Sequence, residues 1–224
     1  MLIPCIDIMG GKIVQLVQGE RKALEIDDPE PWLRRFEKYS LVHVVDLDAA
    51  MRKGSNRAFI ARLARRLPCQ VGGGVRNAAD AKELLAIGAK RVVVGSALVA
   101  DAQINTTFAQ SLSETFGNES FVFAVDAKHG QLAINGWKDT INIAPAAAIA
   151  QLEDFCSAFL YTNVDKEGLL GGFPMDEARL LRTATKKQLI VGGGINSLDQ
   201  VNQLDSLGVD AIAGMAVYTG AIAV

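Results

Sequence analysis

The sequence predicts an α/β fold, a (β/α)₈ TIM barrel built from two half-barrel repeats, with a shortened last helix. Three observations predict this fold: short β-branched runs alternate with longer segments of helical period, eight such runs fit into 224 residues, and a glycine-rich motif recurs in the second half. A doubly wound sheet usually has fewer strands in a chain of this length. We therefore expect a single domain over residues 1–224, with half-barrels of approximately 1–118 and 119–224.

Each predicted strand is a short apolar run, and the segment after it has apolar residues at helical spacing. The strands are expected at Leu2–Ile6, Val42–Leu47, Cys69–Val71, Arg91–Val94, Phe121–Val125, Ala158–Tyr161, Leu189–Val191 and Ala211–Ala213. The helices are expected at Pro31–Tyr39, Arg57–Leu67, Ala79–Ile87, Thr106–Phe116, Pro145–Phe155, Asp176–Thr183 and Leu198–Leu207. Gly88 and Gly208 stand where a helix would end on a left-handed residue, and few residues remain after Tyr218 for the last helix.

A long-period repeat supports the half-barrel interpretation. Val71–Val75 (VGGGV) recurs 120 residues later as Val191–Ile195 (VGGGI), and at an offset of 119 residues Asp7 falls on Asp126. A solenoid would repeat every 20–50 residues or so. A repeat that covers four strands indicates two halves of one closed sheet, with no domain boundary between them.

Composition excludes several classes of protein. The chain is 50% apolar with a formal net charge of −2, which argues against disorder and against a general nucleic-acid binder. No apolar run reaches the ~18 residues of a membrane-spanning helix, and we expect no signal peptide. Cys5, Cys69 and Cys156 lie far apart, which is typical of a reducing compartment. We therefore expect a cytoplasmic protein that binds neither nucleic acid nor membrane.

Two carboxylates are the candidate catalytic residues. Asp7 and Asp126 each end an apolar strand (LIPCID and FVFAVD), where a side chain faces the mouth of the barrel. Strands one and five lie on opposite sides of the barrel axis. Two carboxylates that face each other across a pocket suit paired general acid and general base catalysis. The alternative is that each aspartate caps the turn that follows it.

The two triple-glycine turns are candidate phosphate sites, because glycine lets backbone N–H groups approach an anion closely. Each is followed by a second glycine turn at the end of the next strand. The residues expected to bind phosphate are Gly73, Gly74, Gly95, Ser96, Gly193, Gly194, Gly214 and Met215. Neither turn is a Walker loop or a dinucleotide fingerprint. The predicted substrate has two phosphate ends, although a purely conformational need for tight turns remains the alternative.

Three further side chains are candidates for the same site. Arg76 follows the first glycine turn and could bind an anion or carboxamide, or be a solvated arginine at a helix start. Trp137 lies in a predicted polar loop after strand five, where it could stack on a heterocycle or pack in the core. Thr162 ends strand six and could hydrogen-bond a catalytic carboxylate. His43 is expected to be a core histidine, and no residues have metal-ligand spacing.

These residues resemble a known family. The segments that carry the resemblance are IPCIDIMGGKIVQLVQGE, HVVDLDAA, VGGGVR, VVVGSALV, AVDAKHG, INGW, YTNVDKEGLLGG, VGGGINS and AGMAVYTG. They look like the phosphoribosylformimino-aminoimidazole-carboxamide ribotide (ProFAR) isomerases of histidine biosynthesis, nearly end to end. The resemblance implies an Amadori rearrangement of an aminoaldose to an aminoketose, with no cofactor, no metal and no obligatory protein partner, in a monomer.

The resemblance also implies roles for individual residues. Asp7 matches the general base, Asp126 the general acid, and Thr162 a threonine that supports the acid. Arg76 and Trp137 match substrate-positioning residues, and the glycine turns match the two phosphate sites. Substrate contacts are implied at Gly19 and Gly168 as well.

The sequence departs from the family pattern at a few positions. The family usually has arginine at Gln15 and in the last glycine turn at Met215, and aspartate at Glu167. Asn163 replaces a common acid, and Ala49 a frequent glycine. Alternatives are an isomerase that also accepts phosphoribosylanthranilate, the sister imidazole-glycerol-phosphate cyclase, or a non-catalytic sugar-phosphate-binding barrel.

Overall fold

Eight parallel strands close into a barrel in the computed structural model, which describes residues 1–224. The strands are Leu2–Met9, Val42–Asp46, Cys69–Gly72, Arg91–Val94, Phe121–Ala124, Ala158–Thr162, Gln188–Gly192 and Val209–Ala213. Each pairs with the next in chain order, and the eighth pairs with the first through Leu2 with Ala211 and Pro4 with Ala213. The predicted (β/α)₈ barrel is confirmed, and every predicted strand overlaps an observed one.

Helices connect the strands on the outside of the barrel. The longer ones are Glu30–Phe36, Arg57–Ala64, Ala78–Ala86, Thr106–Phe116, Pro145–Leu152, Met175–Ala184 and Leu198–Ser206, and the two short ones are Leu47–Ala50 and Met215–Tyr218. Asn77 and Ser197 accept hydrogen bonds from the backbone N–H groups three residues later, which fixes where the third and seventh long helices begin. Gly88 and Gly208 have φ of +107° and +68°, as predicted. The shortened last helix is also confirmed.

Antiparallel strands that the sequence analysis did not predict surround the mouth. Lys12–Val17 and Arg21–Ile26 form a hairpin that pairs with the end of the first barrel strand. The first strand was expected to end at Ile6; it continues to Met9 because this pairing extends it. Gly10 and Gly11 make the connecting turn with φ of +58° and +76°, which suits glycine.

A second antiparallel unit follows the fifth barrel strand, and two further short strands pair nearby. The unit consists of the strands Ala127–Lys128, Gln131–Ile134 and Asp139–Ile141. The separate short pair consists of Val99–Ala100 and Gln103–Ile104. The expectation of a polar loop around Trp137 was therefore wrong, since Trp137 lies in the turn of a β-hairpin. The main-chain pairing of this hairpin gives the tryptophan a defined position above the barrel.

The apolar core has two layers. A large cluster fills the space between the barrel and its helices. A smaller cluster, Ile3, Val93, Val122, Ala158, Leu160 and Ile190, fills the inside of the barrel. Alternate residues of each strand supply the two layers, as the pleat of a strand requires. The interior cluster forms the floor beneath the mouth.

A polar chain lies at the other end of the barrel, near the amino ends of the strands. Arg91 donates to the side-chain oxygens of Gln70 at 2.7 Å and Gln188 at 2.6 Å. Gln70 contacts Nδ1 of His43 at 3.2 Å, and Gln188 donates to Asp210 at 2.6 Å. Burial, with the charge of Arg91, lowers the pKa of His43 to about 4. His43 is therefore a hydrogen-bonded interior histidine, as expected.

No helix is both long and apolar enough to cross a membrane.

Candidate active site

A cavity of about 810 Å³ opens at the carboxyl ends of the barrel strands. In barrel enzymes this face carries the reactive groups. Every residue that the sequence analysis selected for the site lines this cavity, including Asp7, Asp126, Thr162, Arg76 and Trp137. The structure therefore brings the predicted residues together in one place, whereas their roles remain predictions.

Asp7 lies on the first barrel strand, where it pairs with Val14 of the hairpin and Val45 of the second strand. Its carboxylate accepts a hydrogen bond from Sγ of Cys5 at 3.3 Å and one from Nε2 of Gln15 at 3.3 Å. Both bonds are long, and a thiol is a weak donor. Burial raises the pKa of Asp7 to about 6, against a lowering by the Cys5 hydrogen bond. A carboxylate with this pKa suits a general base near neutral pH.

Asp126 lies just beyond the fifth barrel strand, which is opposite the first in the ring of strands. Its carboxylate accepts the indole N–H of Trp137 at 2.8 Å and the backbone N–H of Thr162 at 3.0 Å. Burial raises the pKa of Asp126, and the bonds from Trp137 and Thr162 oppose that rise. The predicted threonine contact is therefore present, made by the main chain. No pattern in the sequence indicated that Trp137 would bond to Asp126.

Glu167 is a third carboxyl group in the cavity, at a position where the sequence departs from the family pattern. Burial and the charges of Asp7 and Asp126 raise its pKa to about 8. Glu167 is therefore mostly protonated at neutral pH and adds little negative charge to the cavity. The signal in the sequence that could have identified Glu167 was its position directly before Gly168, a predicted substrate-binding residue.

Replacing Glu167 with glutamine is expected to stabilise the protein increasingly as pH rises. The folded-state pKa of about 8 lies above the ordinary 4.5, so the stability associated with the protonated group is present below about pH 4.5 and is lost as pH rises toward 8. We expect a melting temperature roughly 3–8 °C above wild type at pH 8, and no difference near pH 4.5. Glu20→Gln, at an exposed carboxylate, is the control. A pH-independent difference would contradict the assignment.

The glycine turns require glycine for conformational reasons. Gly73 and Gly193 both have φ of +99°, and a Cβ atom on either would lie 2.3 Å from a backbone oxygen of Asp46 or Asn163. The tight-turn explanation therefore holds for these two positions. Because both turns line the cavity and each is followed by a helix beginning at Ala78 or Leu198, an anion role is compatible with it.

Arg76 binds backbone carbonyl groups in this structure. Its guanidinium donates to the oxygen of Ala49 at 2.7 Å and to that of Gly74 at 3.2 Å. It therefore joins the first glycine turn to the short helix after the second strand. The remaining donors of the planar guanidinium are available to the cavity that Arg76 lines.

Loops that follow four barrel strands, the first, fourth, fifth and sixth, meet over the cavity. A Cβ on Gly19 would lie 2.7 Å from the ring of Trp137, so the first hairpin touches the second there. A Cβ on Gly168 would lie 2.6 Å from the oxygen of Leu16, which brings the loop after strand six against the same hairpin. The hydroxyl oxygen of Ser96 accepts the N–H of Asn135 at 2.8 Å. Gly19, Gly168 and Ser96 thus hold the rim together.

The chain is similar to known proteins over nearly its whole length. A family described as histidine biosynthesis protein matches residues 1–223. Relatives from Methanocaldococcus jannaschii and Deinococcus radiodurans are each 36% identical over 99% of this chain, covering 95% and 94% of their own lengths. A relative from Methanosarcina barkeri is 36% identical over 98% of this chain and 93% of its own. All three are named 1-(5-phosphoribosyl)-5-((5-phosphoribosylamino)methylideneamino)imidazole-4-carboxamide isomerase. The chain belongs to the histidine biosynthesis protein family.

Proposed function

We propose that this chain is the isomerase that its relatives are named for, acting on a small molecule with two phosphoribosyl groups in histidine biosynthesis. The observation that carries the proposal is the pair of half-buried carboxylates, Asp7 and Asp126, on opposite strands of one cavity bordered by two triple-glycine turns. Two phosphate ends held at the glycine turns would orient the reacting sugar between the carboxylates, and such positioning accounts for several kcal/mol of a barrier.

The proposed chemistry is an Amadori rearrangement of the aminoaldose. Asp126, in its protonated form, gives a proton to the ring oxygen, and the C1′–O bond breaks as the nitrogen lone pair forms an iminium. Asp7 then takes the proton from C2′, and the C2′–H electron pair forms the C1′–C2′ double bond while the iminium becomes an amine. Protonation at C1′ and loss of the hydroxyl proton at C2′ give the aminoketose. No atom is lost or gained, so the step is an isomerisation.

Charge in the cavity favours this substrate class. A bisphosphate brings several negative charges, which a third ionised carboxylate would repel. Glu167 is held mostly protonated at neutral pH and so reduces that repulsion. Arg76 supplies a positive charge beside the first glycine turn. Met215 lies at the corresponding place beside the last turn, where the phosphate would depend on backbone N–H groups.

Replacing Gly194 with alanine is expected to raise KM by at least about tenfold. Its φ is +85°, and the new Cβ would lie 2.8 Å from the oxygen of Gly172, so the turn must shift away from its anion-binding geometry. Gly208→Ala is the matched control, because Gly208 also has positive φ but has open space around its Cβ. KM for the substrate and melting temperature are measured for both. A KM unchanged in a folded Gly194→Ala variant would leave only the tight-turn explanation.

The test of the function is turnover of ProFAR by the purified chain, with phosphoribosylanthranilate assayed in parallel. We expect conversion of ProFAR to its ribulosyl isomer. Turnover of both substrates would mean a broader isomerase, whereas formation of imidazole glycerol phosphate from the ribulosyl isomer would indicate the cyclase. The isomerase name of the relatives favours the isomerase over these alternatives. Binding of ProFAR without turnover would overturn the proposal.

The chemistry needs only proton transfer, so we propose that the enzyme works without cofactor or metal. Asp7, Asp126 and both glycine turns meet within one barrel, so no second chain is needed to complete the cavity, and we propose a monomer without an obligatory protein partner. The three free, buried cysteines suit a cytoplasmic location.

A further inference from the structure

Gln15 is a buried amide in the middle of an apolar strand. The strand Lys12–Val17 reads KIVQLV, and Gln15 is only 2% exposed. An amide taken out of water without hydrogen bonds costs a few kcal/mol, so a buried glutamine needs partners. One partner of Gln15 is the carboxylate of Asp7, in the cavity that Gln15 also lines.

The contacts of Gln15 join the Asp7 carboxylate to the last glycine turn. Its Nε2 donates to the Val14 oxygen at 2.8 Å and to Oδ2 of Asp7 at 3.3 Å. Its Oε1 lies against Gly214, where a Cβ atom would be only 2.2 Å away. The side chain therefore fills the gap between Asp7 and the backbone of Gly214, and its amide has little freedom to rotate.

The two catalytic candidates are held by different kinds of donor. Asp126 accepts two N–H bonds at 2.8 and 3.0 Å, whereas Asp7 accepts one long amide bond and one thiol bond. Long bonds orient a carboxylate without strongly stabilising its charge. For a general base this is the useful combination, because orientation is kept while basicity is retained.

We propose that Gln15 is a positioning residue that orients the Asp7 carboxylate toward the substrate and is itself held in place by the glycine turn at Gly214. The proposal deepens the proposed function and depends on Asp7 being its base. It also gives Gly214 a second task, since any side chain there would displace Gln15. The other titratable groups that face Asp7 are Cys5, Glu167 and Tyr218.

The first test is Gln15→Met, which keeps the approximate volume and removes the donor. We expect kcat to fall about tenfold with KM within about threefold, because the base is misoriented while the phosphate ends still bind. The acidic limb of the pH profile of kcat/KM should move to higher pH by about half a unit, since the lost hydrogen bond favoured the charged form of Asp7. Gln70→Met is the matched control: it removes an equally buried glutamine at the opposite end of the barrel and should leave the acidic limb in place.

A second measurement separates this proposal from the proposed function. Aspartate labelled with ¹³C at the carboxyl carbon allows the Asp7 titration to be followed in the unliganded protein, with Asp7→Asn to assign the signal. The Asp7 midpoint should rise in Gln15→Met and stay unchanged in Gln70→Met, whether or not the chain turns over ProFAR. If Gln15→Met does not fold, Gln15→Glu keeps the shape and should raise the midpoint further. An Asp7 midpoint and a kcat unchanged by the Gln15 substitution would overturn the proposal.

Discussion

Asp7→Asn is expected to lower kcat by about 10²–10⁴-fold while substrate binding is retained. An amide cannot take the proton from C2′, but it has nearly the shape of the carboxylate, and its single oxygen still accepts one of the two bonds, from Cys5 or from Gln15, that the carboxylate accepts on its two oxygens. The phosphate ends of the substrate are bound elsewhere, so the dissociation constant should change little.

The pH dependence gives this prediction a second measurement. In the wild type, kcat/KM should fall about tenfold for each pH unit below about 6, because Asp7 becomes protonated there. The residual activity of Asp7→Asn should lack that limb. Asp210→Asn is the matched control, since Asp210 lies at the other end of the barrel and bonds to Gln188. Turnover close to wild type in Asp7→Asn would remove Asp7 from the mechanism.

Asp126→Asn is expected to have an effect of similar size, about 10²–10⁴-fold on kcat, for a different reason. The variant has no carboxylic proton to give to the ring oxygen, so the furanose opens only slowly. An asparagine oxygen can also accept only part of the present pair of bonds, from Trp137 at 2.8 Å and Thr162 at 3.0 Å, because its amide end is a donor. We therefore expect some loosening of the Trp137 hairpin as well.

Two measurements distinguish proton donation by Asp126 from its role in holding the Trp137 hairpin. Steady-state kinetics report kcat, and tryptophan fluorescence of the free enzyme reports the environment of Trp137. Asp139→Asn is the control, because Asp139 belongs to the same hairpin and bonds only to Asn135 at its exposed edge. A variant that loses the indole bond but keeps wild-type kcat would show that Asp126 positions Trp137 and does not act as the acid.

The barrel could be predicted from the sequence because its strands are buried on both faces. Parallel strands of this kind are short runs rich in β-branched residues, such as the three valines of Arg91–Val94, and they stand out from the helical spacing between them. The hairpin was missed because the polar Gln15 interrupts its first strand, Lys12–Val17, and its second strand, Arg21–Ile26, is mostly exposed. The bonding of Trp137 to Asp126 depends on the fold of a loop, which local pattern does not determine.

The site residues that lie at the ends of barrel strands could be predicted from the sequence. Asp7, Asp126 and the glycine turns come at the ends of barrel strands, so the fold alone brings them to one cavity. Gln15 and Glu167 enter it from other elements. A polar residue within IVQLV was the signal for Gln15, but only the structure shows that it faces Asp7.

The polar chain from His43 to Asp210 closes the far end of the barrel, below the interior aliphatic layer. The cavity consequently has one opening. Substrate must enter, and product must leave, past the same rim formed by Gly19, Gly168 and Trp137. Product that has not yet left occupies the place that the next substrate needs, so we expect competitive product inhibition.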